Sequence, residues 1–110
     1  MAKVYFEKLS ALLEELHMES EITKPMEVKH FFSGAALYIN KTICASWSPA
    51  GLAFKLDEKE ANKLIKNGEA IPLKYFPKGH VKKGYALFED PSKKKSSHWK
   101  KYFIKSAQQA

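Results

Sequence analysis

An alternation of apolar and polar residues across HFFSGAALYINKTICASW, residues 30–47, constrains the fold more than any other feature of the sequence. Successive side chains of a strand point to opposite faces, so an alternating run predicts a strand with one covered face. Asn40-Lys41 predicts a tight turn between two such strands, and Ser33-Gly34 predicts a kink at the entry to this hairpin. We therefore expect the rest of the chain to support the hairpin.

The alternation continues on both sides of the hairpin. A turn at residues 48–51 precedes another alternating run, and two further short runs cover residues 71–76 and 83–88. Because His30 alternates with Val28, we expect a packed imidazole, and Cys44 is predicted to lie opposite Trp47 as a structural thiol. The predicted covered faces are Val28, His30 and Phe32; Ala35, Leu37 and Ile39; Ile43, Ala45 and Trp47; and Leu52, Phe54 and Leu56.

Three segments predict helices. Leucines at three- and four-residue steps indicate an amphipathic helix over residues 1–18. Asp57 and Glu60 form a capping-box pattern ahead of a second helix that Gly68 ends. Asp90-Pro91 predicts the start of a last helix with the lysine run 93–95 in its opening turns. The order α-β(4)-α-β(2)-α predicts a two-layer α+β domain, with helices on an antiparallel sheet of five to six strands.

Size, charge and hydropathy limit the class of protein. A chain of 110 residues is the size of one domain, so residues 1–110 are taken as a single unit. One cysteine permits no internal disulfide, and the N-terminus lacks the pattern of a signal peptide. No apolar run approaches the roughly 20 residues that span a bilayer. These features predict a cytoplasmic protein without a membrane segment.

Residue spacing favours no enzyme. The four histidines show no metal-ligand spacing, and no phosphate-binding glycine loop or nucleophile elbow is present. Cys44 has no neighbouring cation or helix start in the sequence to lower the pKa of its thiol. We therefore predict no catalytic residues, no metal and no cofactor.

The net charge of +7 is concentrated in the last third of the chain, where ten lysines after residue 73 face two acids. All nineteen basic residues are lysine, so the two-point phosphate and base contacts typical of arginine are not available. Lysines near Trp99, Tyr102 and Phe103 leave two alternatives open. Either they bind nucleic acid without sequence preference, or they are the exposed face of a helix whose aromatic stripe is buried. The lysines of the first alternative are Lys93, Lys94, Lys95, Lys100 and Lys101.

Four short segments carry a family resemblance over about residues 26–107. They are Phe31-Phe32-Ser33-Gly34-Ala35-Ala36-Leu37-Tyr38, Leu52-Ala53-Phe54-Lys55-Leu56-Asp57, Gly84-Tyr85 and Trp99. In these places the sequence resembles the N-terminal domain of the TfoX/Sxy regulators of bacterial competence, in a short form without their second domain. Ser33 and Ala36 depart from that family's pattern, which prefers glycine at both positions.

The resemblance implies a non-enzymatic regulatory domain that acts by protein contact, in competence or in transcriptional regulation. The partner would be an unidentified protein such as a transcription regulator, and pairing into a homodimer would shield the edge strands of the sheet. The residues expected at the contact surface are Phe32, Ser33, Gly34, Tyr38, Lys55 and Tyr85. Of these, Tyr38, Lys55 and Tyr85 lie opposite the apolar stripes of their strands.

Overall fold

A single antiparallel sheet of six strands forms the centre of the structure, in the order β1-β2-β3-β4-β6-β5. The computed structural model describes residues 2–31, 34–73, 82–91 and 95–109. The predicted α+β class and element order are confirmed, with one additional short helix. The strands are β1 (Met26–Phe31), β2 (Gly34–Ile39), β3 (Thr42–Ser48), β4 (Gly51–Lys55), β5 (Ile71–Leu73) and β6 (Lys82–Phe88). The helices are α1 (Ala2–Glu15), α2 (Met18–Glu21), α3 (Glu58–Lys66) and α4 (Ser97–Gln108).

The β2–β3 hairpin forms as predicted. Asn40 and Lys41 are the two turn residues, with φ values of 53° and 66°. Two successive residues with positive φ give a turn whose twist matches that of the strands, and asparagine tolerates this backbone better than most residues. The turn sets Ile39 opposite Thr42 and thereby fixes the register of the hairpin.

A β-bulge in β3 corrects the predicted faces of this strand. Leu37 pairs with Ala45 and Tyr38 pairs with Ile43, so Cys44 is an extra residue without a partner on β2. One extra residue reverses the alternation on one side of a bulge. Ile43 therefore lies on the same face as Tyr38, and Cys44 lies with Ala45 and Trp47 on the helix-covered face. The predicted faces of Ile43 and Cys44 were wrong.

All four helices pack on one face of the sheet and form one hydrophobic core with it. Phe54 lies at the centre of this core, fully buried, with ring centroids 4.9 Å from Phe103, 5.4 Å from Tyr102 and 6.0 Å from Trp99. Aromatic pairs at these separations add to the free energy gained by burial alone. The buried leucines of α1 cover β1 to β3, and the aromatic stripe of α4 covers β3 and β4.

Several predicted boundaries differ from the structure. Helix α1 ends at Glu15, and His17, two residues later, takes a left-handed backbone with φ 54° between α1 and α2. Asp57 occupies the N-cap of α3, but its side chain makes no capping hydrogen bond. Helix α4 begins at Ser97, so Lys95 precedes the helix instead of lying in its first turn.

Other predictions fall partly outside the described residues. Strand β5 ends at Leu73, and residues 74–76 of the predicted strand are not described.

His30 was predicted to be packed in the interior, but its side chain is exposed on the edge strand and stacks on Phe6, with ring centroids 4.9 Å apart. An edge strand buries only part of its inward face, which explains the difference.

Candidate functional site: the open face of the sheet

The sheet face opposite the helices, here called the open face, carries most of the predicted contact residues. The buried side chains of the four helices all belong to the cluster on the other face. A row of cross-strand neighbours runs over all six strands on the open face, and the side chains at the centre of this row are small. In order from β1 to β5 it consists of Lys29, Ala36, Ser46, Ala53, Leu87 and Ile71.

A second row on the open face holds the larger polar and aromatic side chains. Tyr38 pairs with Ile43, and Lys55 pairs with Tyr85. Tyr38, Ile43 and Lys55 are half-buried, whereas Tyr85 is buried against Ala53 and Leu87. The structure thus places Tyr38, Lys55 and Tyr85 on one face, as the strand patterns predicted. The aromatic rings of the second row and the small residues at the centre of the first row make a surface of mixed apolar and polar character.

Charged side chains border the open face at β1. The Nζ atom of Lys29 lies 5.4 Å from the centre of the Tyr38 ring and 3.6 Å from Oε1 of Glu27. A lysine at this distance from an aromatic ring makes a cation–π contact worth about 0.5–1 kcal/mol at an exposed site. This contact orients the Tyr38 ring relative to the edge strand.

Gly34 has a steric role at the start of β2. A Cβ atom at this position would lie 2.1 Å from the main-chain oxygen of Trp47 and 2.8 Å from Cα of Ser48. Only glycine allows β2 and β3 to approach so closely. Phe32 and Ser33, predicted to share the contact surface with Gly34, lie outside the described residues.

The predicted lysine-rich surface of α4 differs from a nucleic-acid groove in one respect. Trp99, Tyr102 and Phe103 are buried in the core, so these aromatic rings cannot stack on bases. This supports the alternative in which they form the buried stripe of the helix. Lys100 lies 3.2 Å from Glu21, and Lys101 lies over the Tyr102 ring at 5.1 Å.

Two more described lysines, Lys95 and Lys105, lie before the start of α4 and in its last turn. Lys95 is exposed, and Lys93 and Lys94 lie outside the described residues. Lys105 donates to Oε1 of Glu60 and joins α4 to α3. Two of the described lysines of α4 are therefore engaged by carboxylates of neighbouring helices.

Burial and charge shift the pKa values of Cys44, Glu60 and Tyr102, which all lie away from the open face. Burial raises the pKa of the Cys44 thiol, and burial raises the pKa of Tyr102. The hydrogen bond from Lys105 and its charge lower the pKa of Glu60. A catalytic thiol needs a lowered pKa, so the shift at Cys44 is opposite to the one expected of a nucleophile.

Cys44 has a structural environment instead. Its Sγ atom lies 3.6 Å from the main-chain oxygen of Ser106 and 3.4 Å from that of Thr42. The Ser106 hydroxyl donates to the main-chain oxygen of Lys55 at 2.7 Å. These contacts fasten α4 to the middle of the sheet. In the part of the chain that the structure describes, no group of three or more His, Cys, Asp or Glu residues could hold a metal ion.

Part of the open face was not predicted from the sequence. The bulge at Cys44 brings Ile43 beside Tyr38, and nothing in the sequence marks a bulge at that residue. Lys29 and Glu27 were not identified as surface contacts, although their alternation with Val28 places them on the face opposite the apolar stripe. That alternation was the available signal.

Three further findings bear on the class of protein. Among residues 2–31, 34–73, 82–91 and 95–109, no helix is long and apolar enough to cross a bilayer. A comparison with curated proteins finds no significant match. The family model of the TfoX N-terminal domain matches residues 20–110. This match covers most of the chain, including every strand, α3 and α4, and the chain therefore belongs to the TfoX N-terminal domain family.

Proposed function

We propose that this protein is a cytoplasmic, non-enzymatic regulatory domain that binds a protein partner through the open face. The observation that carries the proposal is the position of the half-buried Tyr38–Ile43 pair and of the half-buried Lys55 on the face of the sheet that none of the described helices covers. Membership of the TfoX N-terminal domain family supports a regulatory role, in competence or in transcription. The partner in this proposal is a protein of that regulatory system, such as a transcription regulator.

The chemistry of the open face fits protein recognition. Aromatic residues are enriched in protein interfaces because one ring offers a large apolar area together with a polar group. Tyr38 and Ile43, both half-buried, supply this apolar area, whereas Ala36 and Ala53 of the same face are themselves buried. Lys29 and Lys55 add positive charge at two sides, which favours a partner surface with carboxylates.

The non-enzymatic part of the proposal is supported by the state of the single thiol. Burial raises the pKa of Cys44, so it is protonated at neutral pH and has low nucleophilicity. Its contacts with Ser106 and Thr42 belong to the packing of α4 on the sheet. Cys44, the most nucleophilic side chain of the protein, therefore has a structural role.

Site-specific crosslinking tests the proposed surface. A photoreactive residue replaces Tyr38 in cells that express the protein, and the matched control replaces Glu7, an exposed residue of α1 on the other side of the molecule. We expect a crosslinked protein from position 38 alone. Its affinity for the purified domain is then measured by calorimetry with Tyr38→Ala and Lys55→Ala. A loss of about tenfold or more is expected for Tyr38→Ala, as for an aromatic residue at the centre of an interface.

Two results would contradict the proposal. One is equal crosslinking from positions 38 and 7. The other is unchanged affinity of the identified protein for Tyr38→Ala, Lys55→Ala and Tyr85→Ala, provided that circular dichroism shows each variant to be folded. The Glu7→Ala variant serves as the reference in the same titration.

A second proposal, sequence-indifferent nucleic-acid binding by the C-terminal lysines, is favoured by the concentration of positive charge after residue 73. With the aromatic rings of α4 buried, such binding would rest on phosphate contacts alone. Fluorescence anisotropy with labelled duplex DNA over a series of salt concentrations tests it. Each phosphate contact contributes about −0.9 to the log-log salt slope. The salt slope should become flatter in the triple variant Lys93→Gln/Lys94→Gln/Lys95→Gln, whereas Lys41→Gln in the β2–β3 turn should leave it unchanged. An unchanged slope in the triple variant would exclude these lysines as phosphate contacts.

A further inference from the structure

The two edges of the sheet differ in how well they are protected against pairing with another strand. Strand β5 has an irregular register with β6 and contains Pro72, which has no N–H group to donate. Proline is a common protection of an edge strand. Strand β1 has six residues in regular register with β2 and contains no proline. Within the described residues, no strand pairs with its outer edge.

The hydrogen-bond pattern of the β1–β2 pair shows which groups of β1 face outward. The N–H of Asn40 donates to the main-chain oxygen of Pro25 at 2.8 Å. Hydrogen-bonded residues alternate in an antiparallel pair, so the next residues of β1 bonded to β2 are Glu27 and Lys29. The N–H and C=O groups of the intervening residues, Met26, Val28 and His30, therefore point to the free edge.

Charges on β1 select one register for pairing with a second copy of the same strand. In an antiparallel pair that is symmetric about Val28, Glu27 lies opposite Lys29 of the other copy, twice. The symmetric registers one residue to either side place Glu27 opposite Glu27 or Lys29 opposite Lys29. Opposite charges directly across an antiparallel pair are favourable and like charges are unfavourable. A lysine on an edge often prevents pairing, but in the Val28 register each lysine meets a glutamate.

The same register matches the outward hydrogen-bonding groups. Val28 would pair with Val28, and Met26 with His30 of the other copy, so that all three outward residues of each strand donate and accept. Glu27 and Lys29 would occupy the non-hydrogen-bonded positions, where side chains across the pair are closest. The Glu27–Lys29 contact of 3.6 Å within one chain would become part of a group of four charges.

A groove lined by both apolar and polar side chains, Glu14 and Glu19 among the polar ones, lies beside the same edge. It has a volume of about 610 Å³ and runs between β1 and the helices α1 and α2. Its floor includes Phe6, Leu13, Met26 and Val28, and the last two are only partly buried. A two-fold axis through the Val28 pair would place the grooves of both copies side by side on the same face of a continuous sheet.

We propose that this protein forms a symmetric homodimer by antiparallel pairing of β1 with β1 of a second copy, centred on Val28 and selected by Glu27 and Lys29. This interface shares Lys29 with the border of the open face, but it leaves Tyr38, Ile43 and Lys55, which are proposed above to bind a partner protein, outside the β1–β1 contact. It also explains why one edge of the sheet carries protections that the other lacks.

Charge exchange tests the register directly. Sedimentation equilibrium of the full chain from about 1 µM to about 1 mM should show a monomer–dimer equilibrium for the wild type. Glu27→Lys and Lys29→Glu each place like charges opposite each other and should weaken dimerisation about tenfold or more. An equimolar mixture of these two variants should regain the wild-type affinity as a heterodimer. The double variant Glu27→Lys/Lys29→Glu should do so by itself.

Amide exchange gives an independent measurement. The N–H groups of Val28 and His30 should exchange faster on dilution, whereas those of Glu27 and Lys29, bonded to β2, should not. Val28→Pro removes an outward N–H without removing a bond to β2 and should abolish the dimer while circular dichroism shows a folded chain.

Two outcomes would overturn the proposal. A wild type that stays monomeric over the whole concentration range would leave the β1 edge to a strand of a different protein. A dimer that persists unchanged in both single charge variants, with no gain on mixing them, would place the interface elsewhere.

Discussion

At the scale of single residues, the distance to neighbouring backbone atoms decides whether a glycine can be replaced by a residue with a side chain. Gly34 faces the main-chain oxygen of Trp47, and that oxygen cannot move without breaking the β2–β3 ladder. Gly68, just after the end of α3, has a left-handed backbone with φ of +80°. No heavy atom lies within 4 Å of an added Cβ at this position. Steric crowding and backbone conformation are therefore separable in this protein.

We predict that Gly34→Ala destabilises the fold by about 1–3 kcal/mol or more, because the added methyl group overlaps β3. Gly68→Asn is the matched control, since asparagine adopts the left-handed backbone with little strain and the site is open. Chemical denaturation of both variants measures the free energy of unfolding. A Gly34→Ala variant as stable as Gly68→Asn would mean that β2 and β3 are not held at this separation.

The Cys44 thiol gives a prediction for alkaline pH. Burial raises its pKa above 9.0 in the folded chain, so the native state keeps the proton that the unfolded state loses. The stability contributed by the neutral thiol is therefore complete below pH 9.0 and declines as the pH rises toward the folded pKa. Tyr102, with its pKa raised from 10.0 by burial, adds a similar loss at higher pH.

Urea denaturation of the wild type and Cys44→Ala at increasing pH measures this effect. We expect the wild type to be more stable at neutral pH, because Cys44 fills the space between β3 and Ser106. The difference in unfolding free energy should shrink above pH 9.0. A difference that stays constant with pH would contradict a buried thiol.

At the scale of elements, the sequence predicted what depends on neighbouring residues and missed what depends on distant ones. The β2–β3 turn, the faces of β2 and β4 and the stop of α3 at Gly68 follow from local alternation and turn chemistry. The bulge at Cys44 does not follow from local sequence, because it depends on packing against Ser106 of α4, 62 residues further along the chain. The start of α4 at Ser97 was likewise missed, since Asp90-Pro91 offered an equally good local signal.

The α3–α4 pair provides a prediction at the element scale. Lys105 lowers the pKa of Glu60 below its usual 4.5 through a hydrogen bond and its charge. The stability from this pair is therefore present above pH 4.5 and is lost as the pH falls through the folded pKa. Because both side chains are partly exposed, we expect a coupling of less than about 1 kcal/mol.

A double-mutant cycle with Glu60→Gln and Lys105→Gln measures this coupling at neutral pH and again in acid. Glu58→Gln is the control, because it changes the charge of the same first turn of α3. The coupling should vanish at acid pH, and it should exceed the coupling between Glu58 and Lys105 at neutral pH. Equal couplings for the two glutamates would assign the effect to the charge of the helix terminus.

At the scale of the whole molecule, the class of fold was predictable and the order of the strands was not. Grouped strands between helices predicted a two-layer α+β domain, which the structure confirms. The insertion of β6 between β4 and β5 joins residues about 30 positions apart, such as Lys55 and Tyr85. Alternation assigned both residues to uncovered faces, but only the topology makes them neighbours. The open face as a continuous surface is thus a property of the tertiary fold.

One core that includes side chains from all four helices has a consequence for unfolding. Leucines of α1, aromatic residues of α4 and Phe54 of β4 belong to the same cluster, so the loss of one part exposes the rest. Two tryptophans lie in different parts of this cluster. Trp47 packs beside α1, with Lys8 at 5.8 Å from its ring, and Trp99 is buried in α4 beside Phe88.

We therefore predict that Trp47→Phe and Trp99→Phe, each of which leaves one fluorescent tryptophan, report the unfolding of one cooperative unit. Within each variant, the urea midpoint from tryptophan fluorescence should coincide with the midpoint from far-UV circular dichroism, as in a two-state transition. Phe54→Ala in either background should lower both midpoints together, with a loss of about 3–5 kcal/mol, because it removes the ring that joins α4 to the sheet. A fluorescence transition of Trp99 that precedes the circular dichroism transition would show instead that α4 detaches from the sheet before the remaining core unfolds.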